Sequence, residues 1–157
     1  METPVIDFHC HVGSWGRYWM DDDVDAFLRG LDHVGFDRAC INCMFQGEAR
    51  RGNDLVAEFV QRAPDRFIPV AFVTPWYPDE MVPELERCFD QLGCKYIKIY
   101  PHYVRVPQED PIYYPIFEFA SDRELAIMSH GWHYFDPDSV SILKRFELLL
   151  KLAVFRH

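Results

Sequence analysis

The sequence predicts an α/β fold, a parallel sheet of strand–helix units curled as an arc of a barrel. Three observations predict it. Short apolar runs start near residues 5, 38, 66, 95 and 125, at intervals of about 30 residues, the size of one strand–helix unit. The segments between them carry helix-start and helix-stop residues. The first run, "VIDFHCHVG" (5–13), alternates Asp7, His9 and His11, which on a regular strand share one face.

The elements follow in order. After "VIDFH" (5–9), "DDDVDAFLRGLDHVG" (21–35) opens on acids suited to a helix N-terminus, and Gly35 is placed to end it. "RACINCMF" (38–45) is the second strand. Its Cys40 and Cys43 read as small buried residues, because a zinc ribbon needs a second pair that Cys10, Cys88 and Cys94 do not form. "GNDLVAEFVQRAPDRF" predicts a helix stopping at Pro64, before the strand "RFIPVAFV" (66–73). "PDEMVPELERCFDQLG" is a helix closing on Gly93, and "KYIKIY" (95–100) is the fourth strand. "DPIYYPIFEFASDREL" is a weaker helix, with Pro115 either inside it or marking its true start. "LAIMSH" (125–130) is the fifth strand. In the tail, Asp136 can cap a helix and Pro137 suits its first turn, yet Leu148, Leu149, Leu150, Leu152, Val154 and Phe155 surround that helix rather than forming one stripe.

An open nucleotide-binding sheet needs a glycine-rich turn after its first strand, and the glycines of "HVGSWGRYW" have the wrong spacing. The barrel is the better reading. Eight units of this size need about 240 residues, and 157 hold five and a final helix. The expectation is one domain, residues 1–157, an incomplete barrel with a divergent helix at 138–157. Its open edges and apolar interior predict self-association, partly countered by the apolar tail.

A net charge of -9 gives no electrostatic basis for holding nucleic acid or an anionic membrane. No run reaches the length of a membrane span, and the first residues lack a secretory pattern. Five cysteines, an odd count without a disulfide framework, point to a reducing cytoplasm.

In a barrel the C-terminal ends of the strands converge on one face, where sites are built. His9 and His11 on the first strand and His130 at the end of the fifth would meet there. Neutral imidazoles are common metal ligands, so these three are the candidate metal site. Trp15 and Trp132, nearest the histidines in sequence, are candidate walls for a small organic substrate, and Arg17 or Arg105 suits a carboxylate.

"IDFHCH", "APDRFIPVAFVTP", "LGCKYIKIYP" and "LAIMSHGW", taken in this order, resemble the amidohydrolase superfamily. The resemblance is to the amidohydrolase-related branch, which includes aminocarboxymuconate-semialdehyde and resorcylate decarboxylases beside hydrolases. It covers residues 5 to about 135 and implies a TIM-barrel-like metal-dependent hydrolase fold with about five of eight units present. It implies a divalent metal, zinc by expectation, on His9, His11 and His130. Asp7 is then a supporting group or a further ligand, and Lys98 a substrate contact at the barrel mouth. Tyr100 stands where the family often has a histidine. The implied function is hydrolysis of a small, perhaps carboxylated molecule by a metal-activated water. The alternatives are a decarboxylase of the same family, and a catalytically inactive fragment. The last arises because the family's strand-six histidine and strand-eight aspartate have no counterpart in these 157 residues.

Overall fold

Strand and helix alternate as the apolar rhythm predicts, and the local chemistry shows why each helix starts and stops. The structure is a computed structural model that describes residues 3–13, 23–44 and 48–131. After β1 (Ile6–His11), α1 (Val24–Val34) is capped by Asp23, whose carboxylate accepts from the N–H of Asp25 at 2.9 Å. Gly35 ends the helix with φ of 77°, and its N–H reaches back to the carbonyls of Leu31 and Asp32. β2 (Arg38–Asn42) leads to α2 (Ala49–Arg62), which begins earlier than the sequence predicts and stops just before Pro64. β3 (Phe67–Pro69) and β4 (Ala71–Phe72) precede α3 (Pro78–Asp90). That helix survives Pro83 because Met81, Leu85 and Cys88 bury one face of it.

β5 (Ile97–Ile99) runs straight into α4 (Pro101–Val104), a short helix the sequence reading did not foresee. A 3-10 turn at Pro111–Tyr113 then feeds α5 (Tyr114–Asp122), with Pro115 in its first turn. Pro115 thus marks the start of the helix. β6 (Ile127–Ser129) completes the described elements. The tail helix expected at 138–157 lies outside the described residues. No described helix is long and apolar enough to cross a membrane.

All strand pairs are parallel, β1 with β2, β2 with β3, β4 with β5 and β5 with β6. β3 and β4 are two halves of the single strand predicted at 66–73, each bonded to a different neighbour. Arg66 and Val70 turn their peptide groups to β2, with Ala39 N–H to Arg66 O at 2.9 Å and Val70 N–H to Ile41 O at 3.0 Å. Pro69 and Ala71 turn theirs to the β5 side, where Lys95 N–H donates to Pro69 O and Ala71 N–H to Tyr96 O, both at 3.0 Å. Pro69 is tolerated because its missing N–H falls where the β5 ladder is only beginning.

The strands β2 to β5 are covered on both sides. Outside, Ala39, Ile41 and Phe67 pack with Val24, Leu31, Val56 and Phe59, and Ile97 and Ile99 pack with Met81, Leu85 and Ile116. Inside, Cys40, Val70 and Tyr96 form one layer and Met44, Phe72 and Tyr100 the next. Cys40 and Cys43 therefore belong to different cores, as small buried side chains rather than a chelating pair. Among the described residues β1 and β6 each have a neighbour on one side only, and Val5, Ile6 and Phe8 are exposed along β1.

Candidate active site

The row Asp7, His9, His11 does not keep the simple alternation its spacing suggests. Asp7 lies opposite Ala39 but Cys10 opposite Ile41, so β1 holds one residue more than β2 across this stretch. That is a β-bulge, and it changes the parity of the strand between Asp7 and Cys10. The Asp7 carboxylate accepts from the His9 N–H at 3.0 Å and from the Cys10 thiol. These hydrogen bonds hold its pKa below the usual carboxylate range. Asp7 braces the bulge. His9, within the bulge, and His11, just beyond it, stay together with ring centroids 4.7 Å apart.

Opposite them, β5 contributes Lys98, and Tyr100 follows between β5 and α4, both facing the interior and both buried. The Lys98 Nζ lies 4.9 Å from the centre of the Tyr100 ring. Tyr100 is the hub of the site. Its ring centroid is 5.2 Å from His130, 5.7 Å from Tyr103, 5.6 Å from Phe72 and 6.2 Å from His11. The unforeseen α4 supplies Tyr103, whose ring lies 4.9 Å from His130. Gln108, also buried, accepts from the Ser129 hydroxyl at 2.8 Å next to His130.

Buried polar groups join the two strands. The Tyr100 hydroxyl donates to Asn42 Oδ1 at 2.7 Å and sits 3.4 Å from His11 Nδ1, and Asn42 Nδ2 donates to the Cys10 carbonyl at 3.0 Å. Asn42 lies directly across from His11 in the β1–β2 register.

The electrostatics favour neutral rings. His130 is pushed down to about 4 by burial, with the Lys98 charge adding to it. His9 keeps an exposed edge, yet partial loss of water and the charge of Lys98 bring it to about 4 as well. His11 is lowered by the same two causes. Lys98 itself falls to about 8 through burial alone. At neutral pH the imidazoles therefore offer lone pairs beside a cation with no acidic partner among the described residues.

Three neutral imidazoles are the donor chemistry a divalent ion takes, and on that ground the residues fit one. As the side chains stand, the rings of His11 and His130 flank Tyr100, and no three histidine, cysteine or acidic side chains among the described residues converge on one point. Trp15, Trp132 and Arg17 lie outside the described residues. Arg105 ends α4 in the left-handed region, with φ of 57°. His33 and His102 are exposed on helices. Sequence reasoning missed Asn42, and counted Tyr103 only among the loop aromatics at the barrel mouth without choosing it as a wall of the site. Asn42 had a signal, a polar residue at the inward parity of the strand "RACINCMF".

The amidohydrolase family model matches residues 6–146. The chain is 30% identical over 86 residues to 2-amino-3-carboxymuconate-6-semialdehyde decarboxylase of Dictyostelium discoideum, covering 55% of this chain and 24% of that protein. It is 47% identical over 45 residues to gamma-resorcylate decarboxylase of Rhizobium radiobacter, covering 29% and 14%. Among solved structures it resembles a dihydroxybenzoic acid decarboxylase from Polaromonas sp. JS666, crystallised with manganese and 2-nitroresorcinol. The TM-score is 0.68 at 19% identity, over 94% of this chain and 55% of that one. The chain thus spans about half the length of its solved relatives and aligns with a quarter or less of the curated ones. The five-strand arc is part of a (β/α) barrel of that type. With the family model matching nearly all of its length, the chain belongs to the amidohydrolase family.

Proposed function

We propose that this chain carries the metal-binding and carboxylate-binding part of a divalent-metal-dependent carboxy-lyase acting on a small aromatic carboxylate. The observation that carries the reading is Lys98, 2% exposed, set among three neutral histidines with no carboxylate among the described residues to pair with. A buried charge is costly unless paired, so the site is built for an anionic partner. Tyr100 and Tyr103 offer flat apolar faces beside it, suited to an aromatic ring.

His9, His11 and His130 would hold the ion, which when bound supplies Lewis-acid charge to the substrate oxygens. Lys98 holds the carboxylate by a charge-assisted hydrogen bond, and the buried walls keep water from the ring. In the net reaction the bond from ring carbon to carboxylate breaks, carbon dioxide leaves, and the electron pair on carbon takes up a proton. Hydrolysis is the other expectation for these residues. Support for the carboxy-lyase comes from Lys98 and from relatives that are named decarboxylases. Zinc is expected from the family resemblance, and the manganese of a solved relative makes that ion the one to compare with it.

The test is carbon dioxide release from 2,6-dihydroxybenzoate by the full chain with manganese or zinc, beside equilibrium binding of the same compound. Release that needs the metal, with affinity falling about tenfold or more in Lys98→Met, supports the proposal. Binding without turnover identifies an inactive fragment. Binding unaffected by Lys98→Met overturns the assignment of Lys98.

A further inference from the structure

We propose that Asn42 and Tyr100 are positioning residues that hold His11 in the tautomer with its proton on Nδ1, presenting the Nε2 lone pair. The role given to that lone pair rests on the metal site proposed above, whereas the tautomer follows from counting protons. The Cys10 carbonyl can only accept, so the Asn42 group 3.0 Å from it is the NH2, and the other end of the amide is the oxygen. Tyr100 has one hydroxyl proton, and it goes to that oxygen at 2.7 Å. Only lone pairs of the Tyr100 oxygen remain to face His11 Nδ1 at 3.4 Å. The ring must therefore donate.

The opposite tautomer would set the lone pair of Nδ1 against lone pairs of Tyr100 with no proton between them. Neither partner can turn away, since Asn42 is 0% and Tyr100 3% exposed and Phe72, Tyr103 and His130 pack round the Tyr100 ring. Histidines that bind metals are commonly oriented by a hydrogen bond from the other ring nitrogen. Here a strand asparagine and a tyrosine take that part.

The experiment is a long-range proton–nitrogen spectrum of the metal-free full chain at neutral pH, with His11 assigned by loss of its signals in His11→Gln. The expected result is a protonated Nδ1 and a bare Nε2. Tyr100→Phe and Asn42→Leu should each move His11 toward a mixture of tautomers. Each should also weaken binding of manganese alone about ten- to a hundredfold. A wild-type His11 with its proton on Nε2 overturns the proposal without recourse to any variant. Variants that change neither the tautomer nor the affinity also overturn it. A clean Nδ1–H signal in a protein that binds no manganese upholds the tautomer and counts against the metal site.

Discussion

The side chain of Asn53 on α2 pairs with the backbone of Phe72 on β4 as a neighbouring strand would. Its Nδ2 donates to the Phe72 carbonyl at 2.9 Å and its Oδ1 accepts the Phe72 N–H at 3.0 Å. Phe72 has the parity of Val70, which bonds to β2, but β2 ends at Asn42 and leaves this position to a side chain. Asn53 Nδ2 also donates to Glu84 on α3 at 2.9 Å, tying two helices to the barrel wall. Asn53→Leu should leave the Phe72 groups unpaired and cost about 2–4 kcal/mol, read from the midpoint of urea unfolding. A loss within about 0.5 kcal/mol would show that the amide is dispensable.

Two helical glycines should respond to alanine with opposite sign. A Cβ on Gly52 would lie 3.0 Å from the Cys43 carbonyl oxygen and 3.2 Å from its Cβ, whereas one on Gly30 meets nothing within 4 Å. Gly52→Ala should destabilise by about 1–3 kcal/mol, because α2 must back away from the end of β2. Gly30→Ala should stabilise by up to about 1 kcal/mol through helix propensity alone. Thermal unfolding of the pair checks both signs.

Glu84 makes stability pH-dependent. Burial alone would raise its pKa, but hydrogen bonds from Arg87 and Asn53 outweigh burial and leave it below the ordinary 4.5. Since the folded value lies below the unfolded one, the contribution is fully present above 4.5 and is lost as pH falls through the folded value. Wild type should therefore exceed Glu84→Gln in stability at neutral pH, and the gap should close in acid. A gap that widens in acid would contradict this.

Metal binding should be weak and should depend on β1. An imidazole set without a neutralising carboxylate makes a poor closed site, so titration calorimetry should show modest affinity for zinc or manganese. His9→Ala with His11→Ala should abolish it. Tight binding that survives both changes would place the ion elsewhere.

The open edge of β1 should drive association. Phe8 and Ile6 are 58% and 41% exposed on β1, and Val5 49% just before it, on a strand that among the described residues is bonded along one side only. Light scattering should find assemblies larger than a monomer, shifted toward the monomer by Ile6→Lys with Phe8→Lys. A wild-type chain that stays monomeric at high concentration would contradict this.

The strand–helix rhythm was legible because its signals are local. Asp23 and Gly35 cap α1, and Pro78 and Pro115 sit in the first turns of α3 and α5, through hydrogen bonds or ring geometry within a few residues. The spacing of His9 and His11 was likewise enough to set the two rings side by side. The shared face expected for Asp7, His9 and His11 did not hold, because strand parity lasts only while the ladder is regular, and the bulge is set by how β1 meets β2. Asn42 was not singled out from the sequence, and Tyr100 stood out only as the residue where the family often has a histidine. Their joining to His11 brings together positions 42, 100 and 11, which no window of sequence contains. By itself the sequence determined the parallel units, their order and the histidines at the strand ends, since periodicity and capping act over a turn or two of chain. The tertiary structure alone decided which side chain faces which across the barrel, because the hydrogen bonds that fix a buried site are made between strands.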